Sequence, residues 1–180
     1  MIENIQLPEY RTRLNNNGLR TSESQRLFHG RGHAYDSLSH VNVDWFSPVA
    51  FITLYQAVEL EWLNQQVELL RENISECKSI QVQHRYIKFS PIEVIWGENI
   101  THAIAIEHDL RYHLTLETSQ NLGLFFDMAN GRKWVKEHSR GKNVLNLFSY
   151  TCAFSVAALS GGATQVVNID MSKSSLSKGR

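Results

Sequence analysis

The chain has little of several things, and each scarcity removes a class of function. Cysteine occurs twice, at Cys77 and Cys152, 75 residues apart. No CxxC occurs and no His/Cys cluster has zinc spacing, so neither a disulfide framework nor a metal site is expected. Charge of one sign is also missing, since 18 Lys and Arg balance 18 Asp and Glu. No global basic field announces nucleic acid, which leaves only a local basic patch for that role. The longest apolar stretch, around Pro48–Leu54, is far short of the about 20 residues that cross a bilayer. The N-terminus, MIENIQLPEYRTRL, is polar and lacks the apolar core of a secretory signal. These absences predict a cytoplasmic protein without membrane or metal.

What is present divides by its periodicity. Residues 1–25 are polar and read as an arm. RLFHGRGH (26–33) reads as a loop with two glycines. VNVDWF (41–46) and VAFITLY (49–55) read as strands on either side of Pro48. Leu60, Leu63, Val67, Leu70 and Ile74 then recur every three or four residues, which predicts an amphipathic helix between about 54 and 74. IQVQHRYI (80–87), IEVIW (92–96), HAIAIE (102–107) and RYHLTLE (111–117) follow as short strands. Their close spacing predicts an antiparallel meander. Residues 26–118 are therefore expected to form a small α+β domain.

From residue 119 the texture changes. NGRKWVKEHS (130–139) reads as a helix, VLNLF (144–148) as a buried strand, FSVAALSGG (154–162) as a helix ended by glycines, and QVVNID (165–170) as a second buried strand. Ser172 is placed to cap a helix running to Arg180. Helix–strand–helix–strand–helix is the opening of a doubly wound, Rossmann-like α/β domain. Two parallel strands cannot cover the apolar faces of three helices. The sheet in residues 119–180 is thus expected to be incomplete, finished by further chain or a partner, with self-association through its open edge.

The informative stretch is VLNLFSYTCAFSVAALSGGATQVVNIDMS (144–172). A strand ends at Phe148, a loop of small residues follows, and a second strand ends in Asp170, 22 residues later. In nucleotide-binding α/β folds an acid at that place accepts hydrogen bonds from ribose hydroxyls, and the first loop offers backbone amides. The loop NLFSYTCAF contains no glycine. That disfavours a pyrophosphate and with it an NAD-type oxidoreductase, whose loop carries GxGxxG. An adenosine cofactor without phosphate fits better.

The stretch 144–180 resembles the first two cofactor motifs of class I S-adenosylmethionine (SAM)-dependent methyltransferases, in particular the bacterial 23S rRNA enzymes that modify cytosine or guanine. Those typically read NLF-x-YT-G-x-F and then V-x-x-VDMS. QNLGLFFDMANGRKW (120–134) is similar to their Q-x-x-G-x-F-x-D-x-R-x-x-R segment, and RLFHGRG (26–32) and DWFSPV (44–49) to the N-terminal region of one branch. The resemblance implies SAM as cofactor and methyl transfer to a base in ribosomal RNA. It implies cofactor-side roles for Asn146, Phe148, Tyr150, Thr151, Asp170 and Ser172, and for Phe126, Asp127 and Arg132. Two departures stand out: Cys152–Ala153 where many relatives have glycine, and Ala129 in place of an arginine. The family's Asn/Asp-Pro-Pro motif and later catalytic cysteine do not occur, so no catalytic residue is identified. A truncated, non-catalytic RNA- or partner-binding module is the rival reading.

Several residues keep a second reading. Asp170 could cap a helix, and Asn146 could satisfy buried backbone. Asp127 and Arg132 could pair across the junction between them. Cys152 reads as a small buried side chain rather than a nucleophile. His29, Arg31 and His33, with Arg11, Arg13 and Arg20 upstream, suggest a contact to RNA phosphates, against the alternative of a solvated loop.

Overall fold

A computed structural model describes residues 22–32, 35, 37–117 and 120–179. His33, and the expected polar arm with Arg11, Arg13 and Arg20, lie outside the described residues, apart from the arm's end at 22–25. The chain divides into two compact units. One holds the residues up to Ile106 with Leu114–Leu122, and the other holds Glu107–His113 and everything from Gly123.

The first unit is built on a five-stranded sheet in sequence order: β1 (Gln25–His29), β2 (Val41–Phe46), β3 (Val49–Leu54), β4 (Ser79–His84) and β5 (Ile92–Gly97). Helix α1 (Leu60–Asn73) connects β3 to β4. Within this sheet β3 and β4 are parallel, while the other neighbours are antiparallel. A helix-length crossover is what parallel neighbours require. The meander expected from 80 to 117 is corrected after β5: β4 and β5 pair antiparallel in this sheet, but the two strands that follow leave it. Trp62, Leu63, Val67 and Leu70 of α1 pack with Val43, Trp45, Ile52 and Ile80 of the sheet. Every residue of β2 and β3 is buried. Asp44, polar in a buried strand, takes two hydrogen bonds from Arg26, Nε to Oδ1 at 2.9 Å and Nη2 to Oδ2 at 3.2 Å.

β1 corrects the loop expected at 26–33. Its register against β2 shifts between Arg26 and Phe28. Leu27 and Phe28 are consequently both fully buried, and the alternation that marks a strand is lost. Gly30–Gly32 follows as a 3-10 turn. β6 (His102–Glu107) and β7 (Leu110–Thr115) form a separate two-stranded sheet. His108 and Asp109 between them have φ of 50° and 67°, the left-handed pair of a tight hairpin turn.

The second unit runs through a 3-10 turn (Phe126–Met128), α2 (Ala129–His138), β8 (Asn143–Leu147), α3 (Ala153–Ser160), β9 (Gln165–Ile169) and α4 (Lys173–Lys178). β8 and β9 are parallel and in register, Asn143 opposite Gln165 through Leu147 opposite Ile169. This is the β–α–β unit with which a Rossmann-like sheet opens. Ser172 caps α4 as expected, its Oγ accepting from Ser175 N–H at 3.2 Å. One face of the strand pair meets α3 through Asn146 and Ser155. On the other, Leu145, Leu147, Val167 and Ile169 are about half exposed.

Candidate cofactor site

The loop after β8 is held in a costly shape. Phe148, Tyr150 and Cys152 have φ of 53°, 48° and 64°, the left-handed region that costs a non-glycine residue of order 1 kcal/mol or more. A hydrogen-bond frame fixes it. Ser149 N–H donates to the Ile169 carbonyl at 3.1 Å and Cys152 N–H to Ser149 O at 2.7 Å. Asp170 supplies the rest: Tyr150 N–H donates to Oδ2 and Ser172 N–H to Oδ1, both at 2.8 Å. These amides hold the Asp170 carboxyl below the ordinary aspartate range, Ser172 first and Tyr150 second. The side chain at the tip of β9 thus ties the loop after β8 to the start of α4.

The loop forms one wall of a cavity of about 410 Å³, with Gly123–Phe125, Met128 and Phe154 on the others. The lining is mostly aromatic and aliphatic. Phe125 and Tyr150 rings meet at 5.4 Å between centroids, and Thr151 Oγ1 donates to Gly123 O at 2.6 Å. Burial raises the Tyr150 hydroxyl pKa, opposed by a backbone hydrogen bond with Gly123. Ser149 is also a lining residue, and its Oγ is buried without a hydrogen-bond partner. Arg132 completes the wall, 2 % exposed and donating to Glu107 from Nε and Nη2 at 2.7 and 2.6 Å.

Of the residues expected from sequence, Asn146, Phe148, Tyr150, Thr151 and Arg132 line the cavity. Phe126, Asp127, Asp170 and Ser172 do not. Phe126 is buried and Asp127 exposed, and it is Phe125, just before the 3-10 turn, that lines the cavity. The Arg132 ion pair is with Glu107 rather than Asp127. Asn146 Nδ2 donates to Ser155 Oγ at 2.8 Å and to Asn168 Oδ1 at 3.2 Å, and Ser155 bonds Asn168 in turn. Asn146 is therefore committed to joining β8, β9 and α3. Cys152 is buried at the start of α3. Ser149 and Phe125 were missed. Ser149 lies inside the very motif read for its neighbours, and nothing in the sequence distinguishes Phe125 from Phe126.

His29 and Arg31 belong to the first unit. His29 Nδ1 is 3.0 Å from Arg26 Nη1, and the Arg31 guanidinium stands 4.3 Å over the Tyr55 ring. Among the described residues no group of three His, Cys, Asp or Glu could hold a metal, and no helix is long and apolar enough to cross a membrane.

Known proteins resemble this chain in sequence and in fold. A candidate ribosomal RNA large subunit methyltransferase of Bacillus subtilis is 30% identical over 159 residues, 85% of this chain and 39% of that protein. The ribosomal RNA large subunit methyltransferase K/L of Marinobacter nauticus is 43% identical over 147 residues, 82% of this chain and 19% of that protein. A solved candidate methyltransferase complexed with S-adenosylhomocysteine (SAH) superposes with a TM-score of 0.78 at 25% identity, over 95% of this chain and 44% of that one. The chain thus spans less than half the length of these relatives. The model of the S-adenosylmethionine-dependent methyltransferases matches residues 25–180, and the chain belongs to that family.

Proposed function

We propose that the cavity beside the Phe148–Cys152 loop holds SAM, and that the intact protein transfers its methyl group to a base of ribosomal RNA in the cytoplasm. One observation carries the cofactor half: a strained loop tied by backbone amides to an acid at the end of the second parallel strand. The wall suits an adenosine sulfonium. It is largely apolar and its loop has no glycine to cradle a pyrophosphate. The buried Ser149 hydroxyl has an unmet hydrogen bond that a ligand would satisfy. Both Asp170 oxygens accept backbone N–H groups, and the carboxylate has lone pairs enough for a ribose hydroxyl besides. The names of the Bacillus and Marinobacter relatives support ribosomal RNA as substrate.

Bound there, SAM would supply an electrophilic methyl group. The residues of this chain would orient it and keep water away, with Phe125 and Tyr150 as apolar cover. We place the groups that grip the target base outside these 180 residues. The half-exposed Leu145, Leu147, Val167 and Ile169 would be covered in the intact protein, and drive self-association of the isolated chain.

Equilibrium dialysis with methyl-tritiated SAM tests the cofactor reading. Retention competed by SAH but not by NADH is expected. Competition by NADH alone would return the chain to the oxidoreductases.

A further inference from the structure

The topology of the first unit gathers three strand ends at one edge. β1 is antiparallel to β2, β2 to β3, and β3 is parallel to β4, so β1, β3 and β4 all end on the same side. His29 lies opposite Asn42, Asn42 opposite Thr53, and Leu54 opposite His84. The residues that follow these ends are Arg31, Tyr55 and Arg85.

They make a layered group of cations and rings. Tyr55 carries Arg31 4.3 Å and Arg85 5.4 Å from its ring centroid. Arg85 Nη1 also donates to the Tyr55 hydroxyl at 3.4 Å. The segment beyond β4, HRYIKFS (84–90), is a closed loop rather than a loose one. Ile87 N–H donates to His84 O and Ser90 N–H to Ile87 O, and His84 N–H donates to Pro91 O. The left-handed φ of Phe89 and Ser90, 70° and 49°, leaves Phe89 79% exposed, with Lys88 Nζ 5.0 Å from its ring. Tyr86 is 44% exposed. Glu93 faces His84 at 3.2 Å. Among the described residues no acid is ion-paired with Arg31, Arg85 or Lys88.

A large exposed aromatic on a fixed turn has no packing purpose. Beside cations without acidic partners, it has the chemistry of a stacking platform next to a phosphate track. We propose that this strand-end edge binds single-stranded RNA, with Phe89 and Tyr86 stacking on unpaired bases and Arg31 and Lys88 meeting the phosphates. The proposal rests on the RNA half of the functional reading, and it uses no residue that lines the cofactor cavity. It also accounts for the local basic patch that a chain of zero net charge needs for such a partner.

The test is fluorescence anisotropy of the 180-residue chain with a labelled, unstructured RNA oligonucleotide, over a series of salt concentrations. A duplex RNA of equal length serves as control. The single strand is expected to bind more tightly than the duplex, whose bases are already stacked. Phe89→Ala should weaken single-strand binding about tenfold. Arg31→Glu with Lys88→Glu should weaken it further and lower the log–log salt slope by roughly 1 or more. Both variants should keep wild-type circular dichroism and SAH affinity. Wild-type RNA affinity in both variants overturns this surface while leaving an RNA substrate standing. No binding of the single strand by the wild-type chain at any salt overturns the surface and the RNA half together. A wild-type chain that binds the single strand but not SAH leaves the surface intact and removes the cofactor reading.

Discussion

Arg132 grips Glu107 with two parallel hydrogen bonds of 2.7 and 2.6 Å, and both side chains are almost wholly out of solvent. The pair fastens the β6–β7 turn to α2, and the Arg132 guanidinium also lies 5.9 Å from the Phe154 ring of the cavity wall. Removing one partner leaves the other charge buried and alone. Arg132→Met should therefore cost about 3–5 kcal/mol of stability. The double variant with Glu107→Met should recover much of that, because no orphan charge remains. Urea denaturation reads both, and a single-variant loss under about 1 kcal/mol would refute a structural role for the pair.

Tyr112 lies beside that pair with a buried hydroxyl that has no hydrogen-bond partner. Burial, and then the Glu107 charge, push its pKa up to about 12, against the opposing pull of Arg132. A raised phenol pKa leaves stability untouched below the ordinary tyrosine value of about 10. Stability then falls as pH climbs from about 10 towards 12, because the unfolded chain releases the proton first. Tyr112→Phe should remove this part of the alkaline loss at little cost near neutrality, since it deletes an unsatisfied group. An unchanged alkaline profile in the variant would count against the assignment.

Protection from hydrogen exchange should differ between the sheets. Val43 and Ile52 sit in strands buried on both faces, whereas β8 and β9 expose every second residue. Amides of β2 and β3 are expected to exchange slowly, and those of Leu145 and Val167 quickly. Light scattering should show the isolated chain associating through the exposed apolar face. Equal protection in a chain that stays monomeric would contradict both expectations.

Much of this was legible in sequence where periodicity and burial coincide. The α1 stripe, the β2–β3 strands, the β8–α3–β9 order and the Ser172 cap all follow from local pattern. The break between β5 and β6 was less so, because close spacing of short strands suggests one continuous meander and carries no mark of where a sheet ends. β1 was hidden by its register shift. In the site, the wall residues of the loop lay inside a readable motif. Arg132's partner did not, since Glu107 is 25 residues away on another element. Gly161 reads as a helix stop, and it is also a close approach: a Cβ there would meet Lys136 O at 1.9 Å. Such contacts are set by how helices meet and leave no mark on either local sequence.

The central claim is that the loop clamped by Asp170 binds SAM, and calorimetry with SAH on the 180-residue chain tests it most directly. Because the folded carboxyl titrates below the ordinary range, the clamp is in place above pH about 4 and is lost only as pH falls through its lower folded value. Affinity should therefore be level from pH 8 to 5. Asp170→Ala should weaken binding roughly tenfold or more, through loss of a charge-assisted hydrogen bond, and Ser149→Ala by several-fold. No binding by the wild-type chain, or full wild-type affinity in a folded Asp170→Ala variant, would contradict the account.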